Sequence, residues 1–166
     1  MSAGGTAYNR RVQPEQMTEA GPPGRFLGLD VGSKTIGMAV SDPLGITAQG
    51  LPTYRRQNKR LDFEALQKVI TDLEVSEIVV GLPLRMSGAE GTQSEKMRRF
   101  AAELGKRFDL PVHLWDERLT SAEANRLLRE TKMSIKRRGE VVDRMAAVLI
   151  LQSWIEHRAG TGGFGP

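Results

Sequence analysis

One carboxylate, Asp30, interrupts the apolar run Phe26-Leu27-Gly28-Leu29-Asp30-Val31. An ionised carboxylate in apolar surroundings needs a hydrogen-bond partner, a counter-charge or a cation. Glycines at 28, 32 and 37 leave backbone uncovered nearby, as a phosphate or a metal-bound ligand requires for close approach. The other reading of the segment is a hairpin turn, with Gly32 and Ser33 at the bend and Asp30 as its cap. Two further acidic positions bear on the choice. Asp116 and Glu117 end the stretch Val112-His113-Leu114-Trp115, just before a helix start at Thr120, and carboxylates at strand ends can share a cleft. Asp143 stands at helical spacing from Ala146, Ala147, Ile150 and Trp154. Small residues beside it would let a helix approach a sheet and carry the carboxylate inward. Each position also has a purely structural reading: Glu117 caps the next helix, and Asp143 pairs with Arg144 or another base.

The elements that would position these acids follow from periodicity. Residues 25–31 and 35–41 read as strands around a Gly32-Ser33-Lys34 turn, and Asp42-Pro43-Leu44-Gly45 turns into a third strand near 46–54. Leu61, Leu66, Val69, Ile70 and Leu73 mark a helix, followed by an apolar strand at 75–81. Phe100, Ala101, Leu104 and Phe108 mark a second helix before a strand at 111–116. Thr120 and Glu123 form a capping box for a helix ending near Arg129, and a closing helix runs from about 139 to 157. The order βββαβαβα satisfies right-handed crossover rules as a mixed sheet with helices on both faces.

At 166 residues the chain suits one domain, expected over 25–158 with disordered tails at 1–24 and 159–166. With no cysteine, disulfides, thiolate zinc sites and a cysteine nucleophile are excluded. No secretory or membrane-spanning run stands out, so the cytoplasm is the expected compartment. The net charge of +4 is unevenly spread: residues 55–60, 96–99 and 132–138 hold 11 of the 24 basic residues and no acid. Such clustering is the footprint of a phosphate backbone, the alternative for any one run being a solvated surface. Aromatic residues make up only 5%, which disfavours base-stacking platforms and favours recognition of backbone and shape. His113 lies inside a strand and His157 near the tail, so neither reads as a general base.

Four motifs in order resemble the RNase H-like YqgF/RuvX family, related to Holliday-junction resolvases. They are the Asp30 strand with Gly32-Ser33-Lys34-Thr35-Ile36-Gly37; Gly81-Leu82-Pro83-Leu84 with Ser87-Gly88; Asp116-Glu117-Arg118-Leu119-Thr120-Ser121; and Asp143 with Ala146-Ala147. The resemblance spans roughly 25–156 and implies an α/β fold of the RNase H type: a five-stranded mixed sheet, a three-strand antiparallel meander plus two parallel strands, with the first and fourth strands adjacent and Asp30 near the centre.

The same resemblance implies a metal-dependent nuclease using Mg2+ or Mn2+, since hard carboxylate oxygens hold paired cations for phosphodiester hydrolysis. Asp30 is the expected bridging ligand, Glu117 and Asp143 flank it, and Asp116 stands in reserve, because adjacent residues on a strand face opposite ways. RuvC-type resolvases carry an acid near the end of the fourth strand where this chain has Gly81-Leu82-Pro83-Leu84, so Glu117 is taken as its substitute. Lys34 and Arg118 would hold the scissile phosphate or neutralise the acids, and Arg56, Lys59, Arg137 and Arg138 would grip phosphates. The loop 85–92 reads as a substrate lid or as an ordinary connection. The expected substrate is the precursor of 16S rRNA, acted on by a monomer or weak homodimer. The alternatives are a dimeric resolvase of four-way DNA junctions and a non-catalytic RNase H-like scaffold for nucleic acid. Asp30-Val31-Gly32-Ser33-Lys34-Thr35 also resembles a phosphate loop of actin-like ATPases and sugar kinases, which need two such domains.

Overall fold

In a computed structural model, the structure describes residues 24–83, 91–117 and 135–162, with the side chains of 135–143 and of 161 and 162 set aside. Five strands and three helices are described: β1 (Arg25–Val31), β2 (Thr35–Ser41), β3 (Ala48–Arg55), α1 (Lys59–Asp72), β4 (Val75–Leu82), α2 (Thr92–Phe108), β5 (Val112–Asp116) and α3 (Ile135–Gly162). The sheet order is β3-β2-β1-β4-β5. β1 runs antiparallel to β2 with Asp30 opposite Gly37, and β2 runs antiparallel to β3. β1 is parallel to β4, with Leu29 opposite Val80, and β4 is parallel to β5, with Gly81 opposite Trp115. The expected meander, the two parallel strands and the central place of the Asp30 strand are all present. No helix among the described residues is long and apolar enough to cross a membrane.

Strand alternation sorts side chains onto two faces. Leu27, Leu29, Val31, Ile78 and Val80 enter a core with Phe63 and Leu66 of α1 and Phe100 and Leu104 of α2. Phe26, Ala39 and Val79 enter a second core with Ala147, Ile150, Leu151 and Trp154 of α3. Phe26 meets Trp154 edge-on, with ring centroids 5.0 Å apart.

Gly28 has a different role from the one expected. A Cβ there would lie 2.7 Å from the Leu151 Cβ and 3.2 Å from the Ala147 carbonyl oxygen, so its bare backbone admits the closing helix rather than a ligand. The small-residue stripe of α3 thus docks tightly on the sheet.

The helices are longer than the apolar residues suggested. Asn58 caps α1 by accepting a hydrogen bond from the Leu61 N–H at 2.9 Å. α2 begins at Thr92, where buried Ser94 donates to the Pro83 carbonyl, tying the first turn of the helix to the end of β4. α3 continues to Gly162, through the first residues of the tail expected at 159–166. The segment 1–23, the loop residues 84–90 and the helix expected after Thr120 lie outside the described residues.

Candidate active site

The acids are brought together by strand parity. Asp30 follows Phe26 and Gly28 in alternation onto the α3 face of β1. On β5, Val112 and Leu114 pack on the α1/α2 core and Trp115 on the α3 core. Asp116 therefore falls on the α1/α2 face, and Glu117, just past the strand, returns to the face of Trp115 and Asp30. There the Glu117 and Asp30 side chains hydrogen-bond. Two carboxyl groups can do so only when one holds a proton to donate. Burial, followed by the Asp30 charge, its hydrogen bond and then the Asp116 charge, pushes the Glu117 carboxyl from its ordinary 4.5 up to about 7.

Gly81 makes the meeting possible. A Cβ at Gly81 would stand 2.8 Å from Glu117 Oε2, 2.9 Å from its Cγ and 2.7 Å from Ile150 Cδ1. Position 143 lies on the backbone of α3, one turn before Ala147, and its side chain is outside the described residues. Among the described residues no group of three or more metal-ligating side chains is found; the described pair is Asp30 and Glu117.

The turn that follows Asp30 is held by a buried ionic lattice that periodicity did not single out. Asp62, only 1% exposed, accepts hydrogen bonds from Tyr54 Oη at 3.0 Å, Arg56 Nε at 3.1 Å and the Gln57 N–H at 2.8 Å. Arg56 in turn donates from Nη1 to the Gly32 carbonyl at 2.8 Å, and its N–H donates to the Lys34 carbonyl at 2.8 Å. Arg56, expected to grip phosphate, thus has Nε on Asp62 and Nη1 on the Gly32 carbonyl. The signal was readable, since Asp62, Leu66 and Ile70 recur every four residues and place an acid on the buried stripe of α1.

Lys34 is exposed in the turn. Lys59, the first residue of α1, pairs with Glu103 of α2 at 2.5 Å. Arg118 lies outside the described residues, and Arg137 and Arg138 are placed on the backbone of α3 alone.

A family model described as "RuvX: Holliday junction resolvase" matches residues 24–157. The chain belongs to the RuvX family. Among RuvX relatives, a "putative pre-16S rRNA nuclease" of Koribacter versatilis is 65% identical over 81% of this chain and 88% of its own length. One of the same name from Moorella thermoacetica is 50% identical over 84% of this chain and 99% of its own. The fold is similar to that of T. thermophilus RuvC in complex with Holliday junction substrate, with a TM-score of 0.53 at 14% identity, covering 82% of this chain and 96% of that one. In this RuvX chain Glu117, at the end of β5, reaches across Gly81 of β4 and fills the space at the end of the fourth strand.

Proposed function

We propose that this RuvX-family protein is a metal-dependent nuclease that hydrolyses phosphodiester bonds in the precursor of 16S rRNA. The observation that carries the reading is the Asp30–Glu117 pair, two hard-oxygen donors facing each other beside the end of the central strand. The named function of the relatives supplies the substrate. A carboxyl pair that retains a proton to about pH 7 is a donor set in which a cation can replace that proton. These residues therefore fit Mg2+ or Mn2+, which Asp30, Glu117 and Asp143 would hold. Bound there, such ions supply an activated water and offset the charge on the phosphate.

The chain's own residues do the rest. Asp30 and Glu117 fix where the ligating oxygens converge, and Lys34 offers an exposed cation four residues beyond Asp30. The Arg56–Asp62 lattice holds the intervening turn in place. Cleavage of four-way junctions is the second reading, favoured by the description of the family model; it calls for two such sites in a symmetric dimer.

A labelled precursor rRNA fragment and a four-way junction, incubated side by side with magnesium and with chelator, test both. The precursor is expected to be cut only with magnesium, and Asp30→Asn to lower the rate by orders of magnitude while RNA binding survives. Symmetric cuts in the junction, with the precursor untouched, would replace the first reading by the second.

A further inference from the structure

Three basic segments distant in sequence converge around the Gly32-Ser33-Lys34 turn. Two adjoining clefts of about 330 and 420 Å3 share Ser33, Arg56 and Lys59 as walls. Lys34 and Arg55 line one of them, and Lys96 and Arg99 of α2 line the other. The two acids on their walls are both engaged: Asp62 with Arg56, and Glu103 with Lys59. Lys34 and Lys96 have no ion pair among the described residues. The result is a continuous cationic groove.

The groove and the carboxylate pair meet at the turn. Met97 and Phe100, on the groove wall, belong to the α1/α2 core, on the face opposite the pair. Gly32, two residues beyond Asp30, is on the wall as well. A chain leaving the carboxylates would pass over the turn to enter the groove. Clefts of this size admit a nucleotide unit at a time, whereas the arm of a duplex would stay outside, and a cationic track of this kind suits one strand's phosphates.

We propose that this groove binds a single-stranded stretch of the substrate RNA, running on from the scissile bond, through its phosphates. The inference rests on the nuclease reading for the direction of the strand and adds the substrate class, one strand rather than a branched duplex. Glu103, held on Lys59, competes with the incoming phosphate for that cation.

The test is binding of the full-length protein in chelator, followed by fluorescence anisotropy across a salt series. The probes are a short single-stranded RNA, the same RNA as a duplex and a four-way DNA junction. Lys96→Ala and Arg99→Ala are each expected to reduce the slope of log affinity against log salt for the single strand by about 0.7, with little change for the duplex. Glu103→Gln should tighten single-strand binding. Lys68→Ala removes the same charge from the exposed Lys68–Asp72 pair near the end of α1 and should leave the slope as in wild type. Thermal midpoints of the variants check that they are folded. Slopes for Lys96→Ala and Arg99→Ala equal to that of Lys68→Ala, or equal losses for single strand and duplex, would overturn the proposal. Because no cleavage is read, a protein that binds as expected yet never cuts RNA refutes the nuclease reading alone. One that cuts RNA with unaltered slopes refutes the groove alone.

Discussion

Glu117 and Asp62 are two acids displaced in opposite directions, and each gives the protein a distinct response to pH. The native Glu117 carboxyl, raised from 4.5 to about 7, binds its proton more tightly than it does in the unfolded chain. Without metal, its contribution to stability is therefore greatest below about 4.5 and is lost as pH rises through about 7. The expected outcome is a higher thermal midpoint at pH 5.5 than at pH 8 in chelator. Glu117→Gln should flatten that trend, and scanning calorimetry reads both. For Asp62, burial pushes the carboxyl up, but the bonds from Gln57, Arg56 and Tyr54 outweigh it and hold the group below its ordinary 3.8. That stabilisation is present above 3.8 and is lost as pH falls through the lower native value. Asp62→Ala should cost about 3 kcal/mol in urea denaturation, because it leaves Arg56 largely desolvated and without its counter-charge. Arg56→Ala should likewise act on stability, since its guanidinium closes the turn.

Between elements, the glycines set the distances. Gly81→Ala places a methyl group against the Glu117 carboxylate and Ile150. Displacing a ligand by about 1 Å costs on the order of 100-fold in rate, so cleavage should fall by about that factor while overpacking costs only about 1–3 kcal/mol. Comparing turnover with urea midpoints checks the split. Much of this level was legible beforehand: the apolar runs around Asp30 and at 75–81 place β1, β2 and β4 within a residue, because buried central strands leave long hydrophobic signatures. The burial of Ser94 in the first turn of α2, which begins at Thr92 where the expected loop 85–92 ends, was not, because a lone polar residue leaves no apolar signature. Asp116 and Glu117 could not be told apart either: all five β5 residues are half-buried, so its two faces differ little in polarity. Gly28 read as room for a ligand because a bare backbone looks the same in sequence whether a phosphate or a helix is to approach it.

Among the described residues the carboxylate pair lies on the α3 face of the sheet, and the cationic groove rounds the turn onto the other. The apolar stripe of α3 is spent on the sheet through Ala147, Ile150, Leu151 and Trp154. The exposed large hydrophobic residues among those described are Leu44 and Ile46, beside each other on the β2–β3 turn. An obligate dimer needs a sizeable apolar interface, so sedimentation at micromolar concentration is expected to give a monomer or a weak dimer. A tight dimer would count against that expectation and in favour of the junction reading. β5 is an outer strand that pairs only with β4 among the described strands, and outer strands fray first. A cation shared by Glu117 and Asp30 would clasp this outer strand to the central one over the top of β4. Amide protons of residues 112–116 should then exchange with deuterium faster than those of β1 in chelator and slow selectively when magnesium is added, so that loading of the site can be followed as protection at the margin of the sheet before any bond is cut.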